Sequence, residues 1–133
     1  MYQRKKNHRK GLYDQILIKD NHIEICGGIE NVLQILKSKK IKNYKIECDT
    51  FTQVKKCIEY GSEYILLDNM AIAEVKKCMN VSRKKKVVFE ISGGINEKNI
   101  SKYSELNPDF ISIGSITQNP KPVDISIDII KKL

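Results

Sequence analysis

Short apolar, β-branched runs alternate with stretches of helical period along this chain at intervals of roughly 20 residues, and that alternation restricts the fold more than any other feature. The runs fall at 16–19, 45–48, 64–67, 87–91 and 110–113. Read as apolar along their length, they predict parallel strands covered on both faces. Between them Ile29, Val32, Leu33 and Leu36 recur at helical spacing, as do Phe51, Val54 and Ile58, and then Ile72, Val75 and Met79. Thr50 with Gln53 forms a capping box, and Asn96 is read as the cap of a later helix with Ile95 and Ile100 as its hydrophobic staple. A last helix is expected over 124–132, after Pro120-Lys121-Pro122. Strand–helix units joined by right-handed crossovers imply an α/β fold with a parallel sheet, open or curling toward a barrel. About five strands alternating with helices do not close the eight-stranded barrel, so the expected architecture is an incomplete α/β barrel.

A chain of 133 residues with 41% hydrophobic content suits one domain, taken as 1–133. No run approaches the roughly 18 apolar residues of a membrane span, and the charged N-terminus leads into no signal-peptide core, so a cytoplasmic protein is expected. Cys26, Cys48, Cys57 and Cys78 lack the close spacing of a zinc knuckle or redox dithiol and read as reduced core or half-buried thiols. The formal charge of +8 gathers in Arg4-Lys5-Lys6, 37–42 and 83–86. With no nucleic-acid motif beside them, these clusters read as solvated faces rather than as a nucleic-acid surface.

In a parallel α/β sheet the carboxyl ends of the strands form the active face. Lys19, Glu47, Asp68, Glu90, Ser92 and Gly114 all fall at or just past predicted strand ends and are expected to converge. Ser92-Gly93-Gly94 follows one strand and Gly114-Ser115 the next, and two adjacent glycine turns on consecutive strands can cradle a phosphate. A single such turn is more often only a turn. Glu47 and Asp68 can share a magnesium ion bound to a diphosphate; equally, Asp68 can cap a helix while Glu47 pairs with a lysine. Asn7-His8-Arg9 and Lys19-Asp20-Asn21-His22 gather cationic groups that suit carboxylates, Arg9 through its bidentate fork and Lys19 as a point charge. The alternative for the first ten residues is a basic tail.

Taken in order, Asn7-His8-Arg9, Gly11-Leu12-Tyr13-Asp14, Leu17-Ile18-Lys19-Asp20-Asn21-His22-Ile23, Glu47-Cys48-Asp49-Thr50, Leu66-Leu67-Asp68-Asn69-Met70, Glu90-Ile91-Ser92-Gly93-Gly94-Ile95 and Asp109-Phe110-Ile111-Ser112-Ile113-Gly114 resemble the quinolinate phosphoribosyltransferase family, also called carboxylating nicotinate-nucleotide pyrophosphorylases. The resemblance covers nearly the whole chain. It implies a type II phosphoribosyltransferase-like barrel and, with Mg2+, conversion of quinolinate and phosphoribosyl pyrophosphate to nicotinate mononucleotide, diphosphate and CO2 in NAD synthesis. It implies that His8, Arg9 and Lys19 receive the quinolinate carboxylates, and that Lys19, Glu47 and Asp68 are catalytic. Glu47 and Asp68 match the acidic pair near the ribose and the metal-diphosphate, and Ser92, Gly93, Gly94, Gly114 and Ser115 the phosphate cradle.

Three departures stand out: Gln3-Arg4-Lys5-Lys6 where the family carries glycines, Lys45 where it carries an acid, and Gln118 where many members carry histidine. The family's N-terminal domain and early barrel strands, with an Arg-Lys-Thr motif, find no match here. The chain therefore looks like the carboxyl-terminal half, expected to self-associate or to meet a partner that supplies the rest. The competing reading is a truncated, noncatalytic remnant, and behind it a basic nucleic-acid binder.

Overall fold

The computed structural model describes residues 15–81 and 86–118. Along the chain run β1 (Ile16–Ile18), α1 (Asp20–Ile25), α2 (Ile29–Ser38), β2 (Tyr44–Cys48), α3 (Phe51–Tyr60), β3 (Tyr64–Asp68), α4 (Ile72–Val81), β4 (Val88–Ser92), α5 (Ile100–Ser104), β5 (Phe110–Ile111) and α6 (Ser115–Gln118). The five strands form one sheet in the order β1-β2-β3-β4-β5, every neighbouring pair parallel. Sequential order without reversal, with crossovers of one hand, lays the connecting helices on a single side. That is barrel-like winding, as opposed to the doubly wound arrangement with its switch point. All five expected strands are present, and among the described residues the sheet is open.

The period-2 alternation of the strands decides what each face meets. Ile46 and Cys48, Ile65 and Leu67, and Phe89 and Ile91 are buried together with Val32, Leu33 and Leu36 of α2, Val54, Cys57 and Ile58 of α3, and Val75 and Cys78 of α4. Each fully buried aliphatic side chain contributes roughly 1.5–3 kcal/mol of transfer free energy, so this face carries the stability of the domain. The other face corrects the expectation of strands apolar on both sides. It presents Lys45 and Glu47 from β2, Tyr64, Leu66 and Asp68 from β3, and Glu90 and Ser92 from β4, aligned by the registers Glu47↔Leu66, Leu66↔Glu90 and Asp68↔Ser92. One face is for packing and the other for chemistry.

Helix starts follow local side-chain chemistry. At α3 the Thr50 hydroxyl accepts from the Gln53 backbone amide, while the Gln53 side-chain oxygen accepts from the backbone amides of Asp49 and Thr50, which is the expected capping box. Gly61, at φ +84°, closes the same helix in the left-handed conformation. The cap expected at Asn96 is present: its side-chain oxygen accepts from the Lys98 amide and its carbonyl from the Ile100 amide, one turn ahead of α5. The Asn96 amide in turn donates to the Asn99 side-chain oxygen, the reciprocal half of a capping box, and Asn99, the residue just before α5, makes no side-chain cap of its own. Ile95 is buried and Ile100 packs against the core. The expected helix over 124–132 lies outside the described residues. None of the described helices is long and apolar enough to cross a membrane. All four cysteines are free, Cys26 half-buried and the other three buried.

Candidate active site

At the carboxyl edge of β2 the Glu47 carboxyl is held above its ordinary range. Partial burial is the largest cause and the neighbouring Asp68 carboxylate the next, while Lys19 pulls the other way. The registers Ile18↔Ile46 and Cys48↔Leu67 bring the three strand ends to one edge, with Lys19 just past β1, Glu47 one residue before the end of β2, and Asp68 at the end of β3. The convergence expected for Lys19, Glu47 and Asp68 is thus found. Asp68 does not point back to cap α4; its Oδ2 accepts from the side-chain amide of Asn69 at 2.8 Å.

The next strand end supplies the glycine turn. Ser92 closes β4 opposite Asp68, and Gly93 and Gly94 follow with φ of +87° and +61°. A Cβ on Gly93 would come within 2.6 Å of the Asn69 backbone nitrogen and 2.4 Å of its side-chain oxygen, so only glycine fits. The Gly94 carbonyl accepts from the side-chain amides of Asn99 at 3.0 Å and Asn96 at 3.4 Å. Among the described residues nothing accepts from the Gly93 or Gly94 amide. Two successive amides without an internal acceptor, in a left-handed turn, suit an anion. The second turn lies alongside, since the Ser115 hydroxyl donates to the Ile95 carbonyl at 3.2 Å, and Gly114 precedes it. Ser92, Gly93, Gly94, Gly114 and Ser115 are therefore neighbours.

Glu90 departs from the expected convergence. It is the third of the five residues of β4, one register layer beneath the rim, and only 2% exposed. Its Oε2 meets the Lys45 ammonium at 2.5 Å and accepts from the Tyr64 hydroxyl at 3.2 Å, while Oε1 accepts from the Ser112 hydroxyl at 2.5 Å. Lys45, likewise 2% exposed, lies 4.3 Å from the Tyr64 ring centroid on its way across β3. Burial first, and Glu90 next, raise the Tyr64 phenol, keeping it a neutral donor. This buried network runs from β2 across β3 and β4 to Ser112, just past β5, as the floor of the site. A strand reading that tracked alternate residues shows Lys45 on the face of Glu47 and Glu90 on that of Ser92, which is the signal that locates the floor.

His22 is drawn elsewhere: its Nδ1 accepts from the Lys19 amide at 3.0 Å and caps α1. His8 and Arg9 lie outside the described residues. For a metal, Glu47 and Asp68 offer hard oxygen donors, and among the described residues no cluster of three or more potential ligands forms. Two carboxylates fit a magnesium ion that keeps its waters and takes its other ligands from a phosphate compound.

The family model described as quinolinate phosphoribosyl transferase, C-terminal domain, matches residues 5–128. A probable carboxylating nicotinate-nucleotide pyrophosphorylase of Methanocaldococcus jannaschii is 35% identical over 131 residues, covering 93% of this chain and 46% of the relative. The chloroplastic carboxylating nicotinate-nucleotide pyrophosphorylase of Oryza sativa is 34% identical, covering 93% of this chain and 38% of its own. The crystal structure of the nicotinate-nucleotide pyrophosphorylase of Ehrlichia chaffeensis superposes with a TM-score of 0.76 at 40% identity, covering 84% of this chain and 40% of that one. The chain spans less than half the length of each of these relatives.

Proposed function

Because the chain belongs to the quinolinate phosphoribosyltransferase family, matching its C-terminal domain, we propose that it carries the phosphoribosyl-pyrophosphate side of a site that makes nicotinate mononucleotide, diphosphate and CO2 from quinolinate. The observation that carries this reading is the meeting of the Glu47 and Asp68 carboxylates at the same sheet edge as the Gly93-Gly94 turn. The 5'-phosphate sits on the amides of Gly93 and Gly94, with the Ser92 hydroxyl and the Gly114-Ser115 turn beside it. Glu47 and Asp68 then face the ribose. As diphosphate departs, positive charge develops on the sugar carbon, and two fixed carboxylates in a partly water-excluded site stabilise it.

Lys19, next to Glu47, pairs with a quinolinate carboxylate and orients the ring nitrogen toward that carbon. His8 and Arg9 add to that end of the site. Once the nitrogen is alkylated, its positive charge stabilises the electron pair left on the adjacent ring carbon as the carbon–carboxylate bond breaks and CO2 leaves, and that carbon then takes up a proton from water. Held by the leaving diphosphate together with Glu47 and Asp68, magnesium would supply charge neutralisation. A second copy or a partner α/β segment adds to the open sheet and covers its polar face, since a parallel sheet is stable with both faces covered. A reducing, cytoplasmic setting suits four free cysteines.

The test is formation of nicotinate mononucleotide by the chain alone and together with any polypeptide encoded beside it. Lys19→Ala, Glu47→Ala and Asp68→Ala should each lower turnover by at least ~100-fold, the scale of a lost electrostatic contact. Full activity in all three variants refutes the assigned roles. Tight phosphoribosyl pyrophosphate binding without product in any combination identifies a noncatalytic remnant instead.

A further inference from the structure

Asn69 stands between the two halves of this site in a backbone conformation that asparagine adopts at a cost. Its φ is +52°, in the left-handed region, although it is not glycine. Three contacts accompany that conformation. The Asn69 amide donates to the Ser92 carbonyl at 3.0 Å, beyond the last paired residues of β3 and β4. Its side-chain Nδ2 donates to Asp68 Oδ2 at 2.8 Å. Its side-chain oxygen lies against Gly93, filling the space where a Cβ would be. One residue thus touches the acid at the end of β3 and the glycine turn at the end of β4. A single left-handed residue at a strand end is a way to reverse direction; a strained one whose side chain holds a carboxylate on one side and a turn on the other has a reason beyond the turn.

We propose that Asn69 is a positioning residue that fixes the Asp68 carboxylate relative to the Ser92-Gly93-Gly94 turn, and so sets the span between the two ends of the ligand. The inference deepens the functional reading above, from which it takes the ligand as a sugar phosphate. A compound whose phosphate occupies the turn and whose ribose reaches the acids must match that span. Inorganic phosphate, which touches only the turn, need not. Asn69 takes no part in bond making and acts through Asp68 and Gly93.

Three variants separate the roles. Asn69→Gly tolerates the positive φ and removes the side chain, so a purely conformational role predicts an unchanged or slightly higher Tm and no other effect. Asn69→Asp keeps the size and exchanges the donor for a carboxylate facing Asp68. Asn69→Ala loses the side chain and adds backbone strain, and its Tm should fall below that of the glycine variant. Two measurements are made on each: the backbone order parameter of Gly93 by 15N relaxation, and the affinity for ribose 5-phosphate against that for inorganic phosphate.

The positioning role predicts that the Gly93 order parameter falls from about 0.85 toward 0.6 in Asn69→Gly, with the fold intact. It further predicts that ribose 5-phosphate affinity drops at least ~10-fold in both Asn69→Gly and Asn69→Asp, with a smaller change for inorganic phosphate. An unchanged Gly93 order parameter in Asn69→Gly overturns the inference whether or not ligand binds. Equal losses for the two ligands overturn the span-setting claim. A wild-type chain that binds neither ligand overturns the functional reading, and the Gly93 measurement still decides the positioning role.

Discussion

Replacing Lys45 by methionine tests the floor of the site most directly. Methionine keeps most of the length and lies well against the Tyr64 ring, but removes the ammonium that meets Glu90 at 2.5 Å. Both side chains are almost fully buried, so the Glu90 carboxylate cannot recover that partner from water. Breaking a buried pair from one side costs roughly 3–5 kcal/mol, and because the Tyr64 and Ser112 hydroxyls still donate to Glu90, the low end, about 3 kcal/mol, is expected. At this chain length that is a fall in Tm of roughly 10 °C. The double variant Lys45→Met with Glu90→Gln should recover at least half of the loss, since the glutamine oxygen still accepts from a hydroxyl and no buried charge remains.

The pH dependence of the single variant fixes the sign. Without the ammonium, burial pushes the Glu90 carboxyl above its unfolded value. Stability from a group raised in this way is fully present below the unfolded pKa and lost as pH rises through the folded one. The Lys45→Met deficit should therefore be smallest near pH ~4.5 and largest above pH ~7. Thermal melts by circular dichroism across that range measure both effects. A single variant within ~2 °C of wild type, or a deficit that grows toward low pH, refutes the ion pair as the element that holds the floor.

Glu47→Gln should raise Tm at pH 8 and give no gain near pH 4, because the Glu47 carboxyl, raised first by burial and then by Asp68, forfeits stability as pH climbs through its folded value; the same variant should lose ligand affinity, and a lower Tm at pH 8 would contradict the crowding of the two acids. Gly93→Ala places a methyl against the Asn69 backbone at positive φ and should cost upward of ~2 kcal/mol in urea unfolding, whereas a neutral result would mean that the turn has room for a methyl. Thr50→Ala removes the hydroxyl acceptor of the α3 cap and should cost ~1 kcal/mol by the same measurement. Titration of native protein with a thiol reagent should give one fast cysteine, the half-buried Cys26; Cys78, pushed up to about 11 by burial, and the buried Cys48 and Cys57 should react only on unfolding.

What the sequence disclosed, and what it withheld, divides along the range of the interactions involved. The strands and the stripes of α2, α3 and α4 were legible because each is a period in a short window, and the Thr50-Gln53 cap because both partners sit within four residues. The meeting of Lys19, Glu47 and Asp68 was legible one level up, since parallel strands in chain order bring their carboxyl ends to one edge. Proximity to a strand end does not locate Glu90: two residues before Ser92 it shares the same face but lies a layer deeper, where it meets Lys45, 45 residues away in the chain. Asn69 was visible only as an interruption of an apolar run, since neither its sign of φ nor its fit against Gly93 is written in its neighbours. Lys45 shows the consequence for reading function. A lysine inside an apolar strand run reads as an interruption in one dimension, yet in three dimensions the ammonium answers a buried carboxylate on the next strand but one, leaving the rim acids Glu47 and Asp68 as they are. A site in a parallel sheet is therefore better judged layer by layer across the registered strands than motif by motif along the chain.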